Sequence, residues 1–92
     1  MGTRVDITLQ ALKELQKLRV PQVRRKFFLW VSEVETKGVL ETRRRPGWHD
    51  EPLRGTRAGQ RSVRLNDQWR AIYWEKDGTV CIEVIEVTPH DY

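Results

Sequence analysis

The sequence has a single cysteine, Cys81, so no disulfide can form within the chain and a reducing compartment is the default expectation. Long apolar runs are also missing. No uncharged run approaches the length of a membrane span, and the start, Met-Gly-Thr-Arg-Val-Asp, lacks the apolar region of a signal peptide. We therefore expect a cytoplasmic protein without a membrane partner. Its 92 residues suffice for one core, which predicts a single domain over residues 1–92.

Groups that would hold a metal or a cofactor are scarce as well. The two histidines, His49 and His90, lie forty-one positions apart without a paired thiol, which is a poor zinc pattern. The sequence has no glycine-rich phosphate-binding motif and no internal repeat. We expect neither a metal nor a cofactor.

Lysine is absent from the most basic part of the chain. Residues 43–70 hold eight arginines and three acids, a net charge of +5, whereas the other nine basic and ten acidic residues give −1. Arginine binds phosphate through two parallel hydrogen bonds, so an arginine-only excess favours an RNA-binding surface over a solvated charged face, which remains the alternative. Within segment 51–73 the candidate RNA-binding residues are Arg54, Arg57, Arg61 and Ser62, followed by Arg64 and Arg70.

The first half of the chain predicts a strand and two helices. Residues 3–8 alternate as a short strand does, and Thr8 is placed to cap a helix in which Leu9, Leu12 and Leu15 recur at three-residue spacing. Pro21 suits the first turn of a second helix that ends near Gly38. One face of that helix is expected to pack in the core: Val23, Phe27, Trp30, Val31 and Val34. The basic residues 24–26 near its start either contact RNA or are merely solvated.

Three strands are predicted in the second half, at residues 60–65, 69–75 and 79–87. The dipeptide Asp77-Gly78 is typical of a two-residue hairpin between the last two.

The register of the first hairpin decides which side chains share a face. A two-residue loop would mix apolar and charged groups on both faces, whereas a three-residue loop through Gln68 pairs Arg64 with Arg70. We expect the second arrangement. It gives one apolar face: Val63, Leu65, Trp69, Ala71 and Tyr73, extended by Val80, Ile82 and Val84.

The opposite face then holds Ser62, Arg64 and Arg70 side by side, with Glu83 and Ile85 next along. Two opposed arginines repel unless an anion lies between them, so we hypothesise that Arg64 and Arg70 share one phosphate. The alternative is that Glu83 neutralises the pair.

The chain closes on His90-Asp91-Tyr92, three protic side chains in a row. An imidazole exchanges a proton near neutral pH, and a phenol can hydrogen-bond or stack on a base. Beside the arginine pair, they would supply what cleavage of RNA at its own 2′-hydroxyl requires. A frayed end without function is the alternative.

The order strand, two helices and three-strand meander, with the motifs PLRGTRAGQRSVRLNDQWRAIY and EVIEVTPHDY, resembles the RelE/ParE superfamily of toxins from toxin-antitoxin systems. The similarity is greatest to HigB-like and RelE-like messenger-RNA interferases. It implies an α+β fold with a four-stranded sheet. It also implies a ribosome-dependent endoribonuclease that cleaves messenger RNA in the A site, with an antitoxin partner that is often a helix-turn-helix protein.

The resemblance also implies roles for particular residues. Arg70 matches a family arginine that steadies the scissile phosphate. Arg64 matches a basic position on the preceding strand that the family uses for the same charge, and Arg54 matches a functional basic position. His90 and Tyr92 resemble the closing His and Tyr as proton exchanger and stacking partner. The order His-Asp-Tyr departs from the family's Asp-Tyr-His, so His90 and Asp91 both remain candidates for proton transfer. The alternative function is that of a ParE-like inhibitor of DNA gyrase, which has no enzymatic activity.

Overall fold

The computed structural model describes residues 2–89, and its central feature is a five-stranded sheet. The strands are β1 (Arg4–Ile7), β2 (Glu51–Pro52), β3 (Gln60–Arg64), β4 (Trp69–Asp77) and β5 (Cys81–Pro89), in the spatial order β1-β5-β4-β3-β2. β1 is parallel to β5, and the other neighbouring strands are antiparallel. The helices are α1 (Leu9–Lys17), α2 (Pro21–Lys37) and α3 (Val39–Arg43). The α+β class is confirmed.

The expected four-stranded sheet was wrong by one strand. β2 pairs Glu51 with Ser62 and Pro52 with Arg61 at the edge of the sheet. A two-residue strand shows no alternating pattern, and its proline lacks a ladder donor, which confines it to an edge. The five-residue helix α3 was not predicted either, although it buries Val39 in the core.

Helix α1 packs through a different face from the one its leucines suggested. Thr8 caps the helix as expected, its Oγ1 accepting from the Ala11 N–H at 3.1 Å. The buried positions are Ala11, Leu15 and Leu18, while Leu9 is 67% exposed and Leu12 is 39% exposed. The prediction of a core-facing stripe was therefore correct for Leu15 and wrong for Leu9 and Leu12.

Helix α2 follows the sequence prediction closely. It begins at Pro21, its C-cap is Gly38, and the predicted face is buried: Val23, Phe27, Trp30, Val31 and Val34. At its start, the Arg24 guanidinium donates to the carbonyls of Leu15 and Leu18 at 3.0 and 2.7 Å. Arg24 therefore satisfies carbonyls at the end of α1, a contact that the sequence did not predict.

The β3–β4 hairpin has the predicted three-residue loop. Arg64 pairs with Arg70, and the Leu65 N–H donates to the Trp69 carbonyl at 2.9 Å. The loop is stabilised by Asn66, whose side-chain Oδ1 accepts from the N–H groups of Gln68 and Trp69 at 2.8 and 2.7 Å. Such a local side-chain turn is characteristic of asparagine.

The β4–β5 hairpin differs from its prediction. Asp77 pairs with Cys81, so the loop holds Gly78, Thr79 and Val80 and not Asp77-Gly78 alone. Val80 is 67% exposed and does not extend the apolar face. Irregular pairing at Ile72/Tyr73 and at Glu75/Asp77 shifts the register again along the strands. β-bulges of this kind change which residues lie opposite one another.

The core lies between the helices and one face of the sheet. Alternate residues along the sheet supply its share: Val63 on β3 and Leu65 directly after it, Ala71 and Tyr73 on β4, and Ile82, Val84 and Val87 on β5. The other face, here called the open face, carries Ser62, Arg64 and Arg70 at the β3–β4 end. Within residues 2–89 no helix is long and apolar enough to span a bilayer.

Candidate nucleic-acid interface

The eight arginines of residues 43–70 fall into two groups. Five form ion pairs with carboxylates: Arg43 with Glu75, Arg44 with Glu41, Arg45 with Glu33, Arg57 with Glu86 and Arg61 with Asp50. Among the residues that the structure describes, no carboxylate pairs with Arg54, Arg64 or Arg70. Carboxylates within the fold thus compensate the charge of five arginines. The three arginines without such a partner among the described residues lie on β3, on β4 and on the loop before β3.

Arg64 and Arg70 are directly opposed on neighbouring strands, as the predicted register requires. Opposed residues of an antiparallel pair project from the same face of the sheet, so both side chains project from the open face. The Nε of Arg64 is buried and has no hydrogen-bond partner within residues 2–89. An unsatisfied buried donor on a cation is costly, so an anion that reaches Arg64 would be bound favourably.

Arg70 is held more firmly than Arg64. Its residue is only 6% exposed, and its Nη1 donates to the carbonyls of Asn66 and Trp69 at 2.6 and 3.0 Å. Both carbonyls belong to the β3–β4 turn. Arg70 therefore stabilises the turn from which it emerges, in addition to placing positive charge beside Arg64.

The alternative that Glu83 neutralises the arginine pair was wrong. The register shift in β5 places Glu83 opposite Trp74, where its Oε1 accepts from the indole Nε1 at 2.9 Å. The acidic residue nearer the pair is Glu86, which lies opposite Ile72. Glu86 accepts from Arg57 Nη2 at 2.9 Å, so its charge is directed to another arginine.

The remaining predicted RNA-binding residues are in three different environments. Arg54 is exposed on the loop, directly before a 3-10 turn at Gly55–Arg57. Arg57 is half-buried and also donates to Gln60 Oε1 at 2.7 Å. Ser62 lies on the open face opposite Ile72 but is buried, as Ile72 is. Only Arg54 of these three is fully presented to solvent.

Arg61 lies on the opposite side of the sheet, with the core residues Val63 and Leu65. Its Nε donates to Asp50 Oδ1 at 2.5 Å, and the Asp50 side chain is only 2% exposed. The other carboxylate oxygen accepts from the Tyr73 hydroxyl at 2.5 Å. Arg43 completes this buried cluster by donating to the Tyr73 oxygen at 3.0 Å. Arg61 therefore lies outside the arginine surface of the open face.

Tyr73 shows the electrostatic effect of this cluster. Burial, together with the negative charge of Asp50, raises the pKa of the Tyr73 phenol well above its usual value of 10.0. The hydroxyl therefore remains a hydrogen-bond donor at any physiological pH. Sequence reasoning assigned Tyr73 only to the apolar face and missed Asp50. One sequence feature could have indicated a role for Asp50: it is one of only three acidic residues in residues 43–70, which hold eight arginines.

The predicted proton-transfer residues, His90, Asp91 and Tyr92, lie outside the described residues. β5 ends at Pro89, and Thr88 pairs with Arg70 on the neighbouring strand. The last described residues of the chain are therefore beside the arginine pair. In the described part of the chain, no three His, Cys, Asp or Glu side chains are grouped as metal ligands would be.

Comparison with solved structures identifies similar folds. A RelE-RelB complex from the archaeon Pyrococcus horikoshii contains a chain with 27% sequence identity and a TM-score of 0.73, covering 99% of this chain and 98% of that one. The RelBE2 toxin-antitoxin complex of Mycobacterium tuberculosis gives 23% identity and a TM-score of 0.63, over 98% of this chain and 100% of the other.

A structure described as a YoeB/ParE toxin from Agrobacterium tumefaciens is also similar, with 21% identity and a TM-score of 0.68 over 96% of this chain and 99% of that chain. No protein-family model and no curated protein sequence matches this chain. The similarity is therefore one of fold over nearly the whole chain, and the sequence similarity is weak.

Proposed function

By its fold this chain belongs to the RelE/ParE superfamily of toxins, and from that premise we propose that it is the toxin of a type II toxin-antitoxin pair. Its activity is that of an endoribonuclease that cleaves messenger RNA in the ribosomal A site. Its partners are an antitoxin, the message and ribosomal RNA. The first two structures described above are complexes of a toxin with its antitoxin, which supports the antitoxin partner.

One observation carries the proposal. Arg64 and Arg70 are opposed on the open face without a described carboxylate partner, although most of the neighbouring arginines have one. Two guanidinium groups held side by side repel, and a phosphate between them removes that repulsion. The buried Arg64 Nε has hydrogen-bonding capacity that such a phosphate would use.

The chemistry proposed is attack of the 2′-hydroxyl oxygen on the adjacent phosphorus, in which the O2′–P bond forms and the P–O5′ bond breaks. The products are a 2′,3′-cyclic phosphate and a 5′-hydroxyl: the 2′-hydroxyl proton passes to the proton acceptor, and the proton donor protonates the leaving 5′-oxygen. The phosphorus gains a fifth oxygen ligand and a further negative charge in the transition state, and fixed cations stabilise that charge more than they stabilise the ground state. Arg64 contacts the phosphate, Arg70 supports the same charge, and Arg54 binds the RNA backbone nearby. The proton acceptor and donor are proposed to come from His90, Asp91 and Tyr92, since arginine is too basic to act as a base.

The test is induction of the protein in bacterial cells, followed by mapping of the 5′ ends of messages. We expect cuts in phase with codons, lost in Arg64→Ala and in His90→Ala. The control is Arg44→Ala, which removes one positive charge from an exposed arginine whose side chain pairs with Glu41 on α3. Intact messages under wild-type induction would refute the nuclease.

The rival function is that of a ParE-like inhibitor of DNA gyrase, because a structure described by both names, YoeB and ParE, shares this fold. The same induced cells discriminate the two. Stalled replication with intact messages supports gyrase inhibition, whereas message cleavage before any effect on replication supports the nuclease.

A further inference from the structure

A groove of about 460 Å³ lies where the end of α1 meets the ends of β4 and β5. Its floor includes Leu18, Trp69 and Val87, and its rim carries Lys17 and Arg19. The volume falls within the range of ligand pockets, roughly 300–1,000 Å³. The function proposed above uses none of these residues.

The lining of the groove combines a stacking surface with positive charge. Trp69 packs its indole partly against the core and leaves the remainder accessible. Lys17 and Arg19 are exposed, and neither forms an ion pair within residues 2–89. The one acidic residue of the lining, Glu14, accepts the Val87 N–H at 2.8 Å, so its carboxylate is directed to the backbone. Flat apolar walls with a cationic rim fit a nucleobase with its phosphate better than an uncharged apolar side chain.

The groove adjoins the arginine pair. Trp69 precedes Arg70 on β4, and Thr88, which lines the groove, is the register partner of Arg70. Successive residues of a strand point to opposite faces, so Trp69 lies on the helix side of the sheet and Arg70 on the open face. The groove and the arginine pair therefore meet around the end of the sheet, where β4 begins and β5 ends. An RNA strand with a phosphate at Arg64 and Arg70 can place a neighbouring nucleotide over the end of the sheet and into the groove.

We propose that this groove binds the base of a nucleotide next to the scissile phosphate, with Trp69 as the stacking surface and with Lys17 and Arg19 on the following phosphates. The inference rests on the proposed function, and it makes the groove the part of the site that reads the message. Residues along it, and not the arginine pair, then set sequence preference, since phosphate contacts carry no base information.

Photocrosslinking tests this with the wild-type full-length chain. The message carries 2′-O-methyl groups throughout the A-site codon to block cleavage, and 5-iodouridine at one position at a time within and beside that codon. It is presented both on programmed ribosomes and as free RNA, and crosslinked peptides are mapped. We expect Trp69 to crosslink from one position only, and Trp74, which is exposed at the other end of β4, to remain unmodified.

The outcomes separate the two proposals. Crosslinks confined to other residues overturn the groove and leave the nuclease standing. If no crosslink to the protein forms in either sample, the groove proposal falls, and the mapping of message 5′ ends decides the nuclease separately. Loss of antitoxin binding in Trp69→Leu, with RNA cleavage unchanged, assigns the groove to a protein partner and also overturns the inference.

Variants give a second readout. Base–aromatic stacking predicts that Trp69→Leu lowers kcat/KM for cleavage roughly 5- to 150-fold, with Trp69→Phe between it and wild type. The matched control Trp74→Leu leaves kcat/KM unchanged. The double variant Lys17→Ala/Arg19→Ala binds RNA more weakly, and the slope of log affinity against log salt concentration becomes shallower by about 1.4, as expected for the loss of two single-strand phosphate contacts. Lys37→Ala is the control, and it leaves that slope unchanged. Thermal unfolding checks that Trp69→Leu is folded. A folded Trp69→Leu with wild-type kcat/KM and codon preference contradicts the proposal.

Discussion

At the scale of single residues, Arg64 and Arg70 have different surroundings and therefore different expected roles. Arg64 has a buried Nε without a partner in the described chain, and Arg70 donates Nη1 to two turn carbonyls. The sequence showed that the two arginines are opposed, because alternation of apolar residues fixed the register. It could not show which one the turn holds, since that depends on where the Asn66 and Trp69 carbonyls point.

We predict that this difference separates stability from activity. Arg70→Ala lowers the free energy of unfolding by about 1.5–3 kcal/mol, the scale of hydrogen bonds to a charged group. Arg64→Ala leaves that free energy unchanged or raises it, because it removes a buried donor without a described partner. Urea denaturation of both variants measures the difference. Equal losses of stability would show that Arg64 also makes structural contacts.

The raised pKa of Tyr73 predicts a dependence of stability on pH. Burial beside Asp50 keeps the folded phenol neutral above pH 10, whereas the unfolded phenol ionises near its usual pKa of 10.0. The unfolded state then binds fewer protons, so the free energy of unfolding falls as the pH rises above 10. The stabilisation is fully present below that pH.

Tyr73→Phe is the matched variant for this effect. It is expected to lose stability at pH 7, because Asp50 loses a donor, yet to show a shallower fall in stability above pH 10. Ultraviolet titration of the phenols isolates Tyr73 as the difference between wild type and variant. A Tyr73 contribution that titrates at the usual pKa would contradict the assignment.

At the scale of elements, the spacing of apolar residues predicted the buried face of a helix better than the type of residue did. The face of α2 follows spacings of four, three and one residues and was predicted correctly. In α1 the leucines recur every three residues, and each such step falls about 60° short of a full turn, so the stripe rotates away from the core. Ala11, Leu15 and Leu18 recur at spacings of four and three and keep one face buried.

A pair of truncations tests this face of α1. Leu15→Ala removes a side chain that is 3% exposed and should lower the free energy of unfolding by about 2–5 kcal/mol. Leu9→Ala, the same change at an exposed position of the same helix, should alter it by less than about 0.5 kcal/mol. Denaturant titration compares the two. Similar losses at both positions would mean that Leu9 also packs in the core.

Strand register was predictable from apolar alternation where the pairing is regular and not where a bulge intervenes. The β3–β4 pairing is regular, and the Asn66 side chain stabilises its turn. Along β4 and β5, irregular pairing places Glu83 opposite Trp74 and Glu86 opposite Ile72. Nothing in the alternation of residues 79–87 marks those positions, which is why the acidic residue near the arginines was assigned incorrectly.

At the scale of the whole molecule, the basic excess is divided between the two faces of the sheet. On the core side, Arg43 and Arg61 surround Asp50 and stabilise the junction of the helices with β3 and β4. On the open face, Arg64 and Arg70 lie close to the last described residues of the chain. Composition revealed the excess of arginine but not this division, because the carboxylate partners come from distant segments such as Glu33 and Glu86.

Single-turnover cleavage of a message on programmed ribosomes tests the central claim most directly. Arg64→Ala is expected to slow cleavage roughly ten- to a thousandfold, the scale of losing one charge contact to a transition state, while Arg44→Ala cleaves at the wild-type rate. Because the Arg64 change should leave folding intact, the loss would be assigned to the phosphate contact. A folded Arg64→Ala protein that cleaves as fast as wild type would contradict the account.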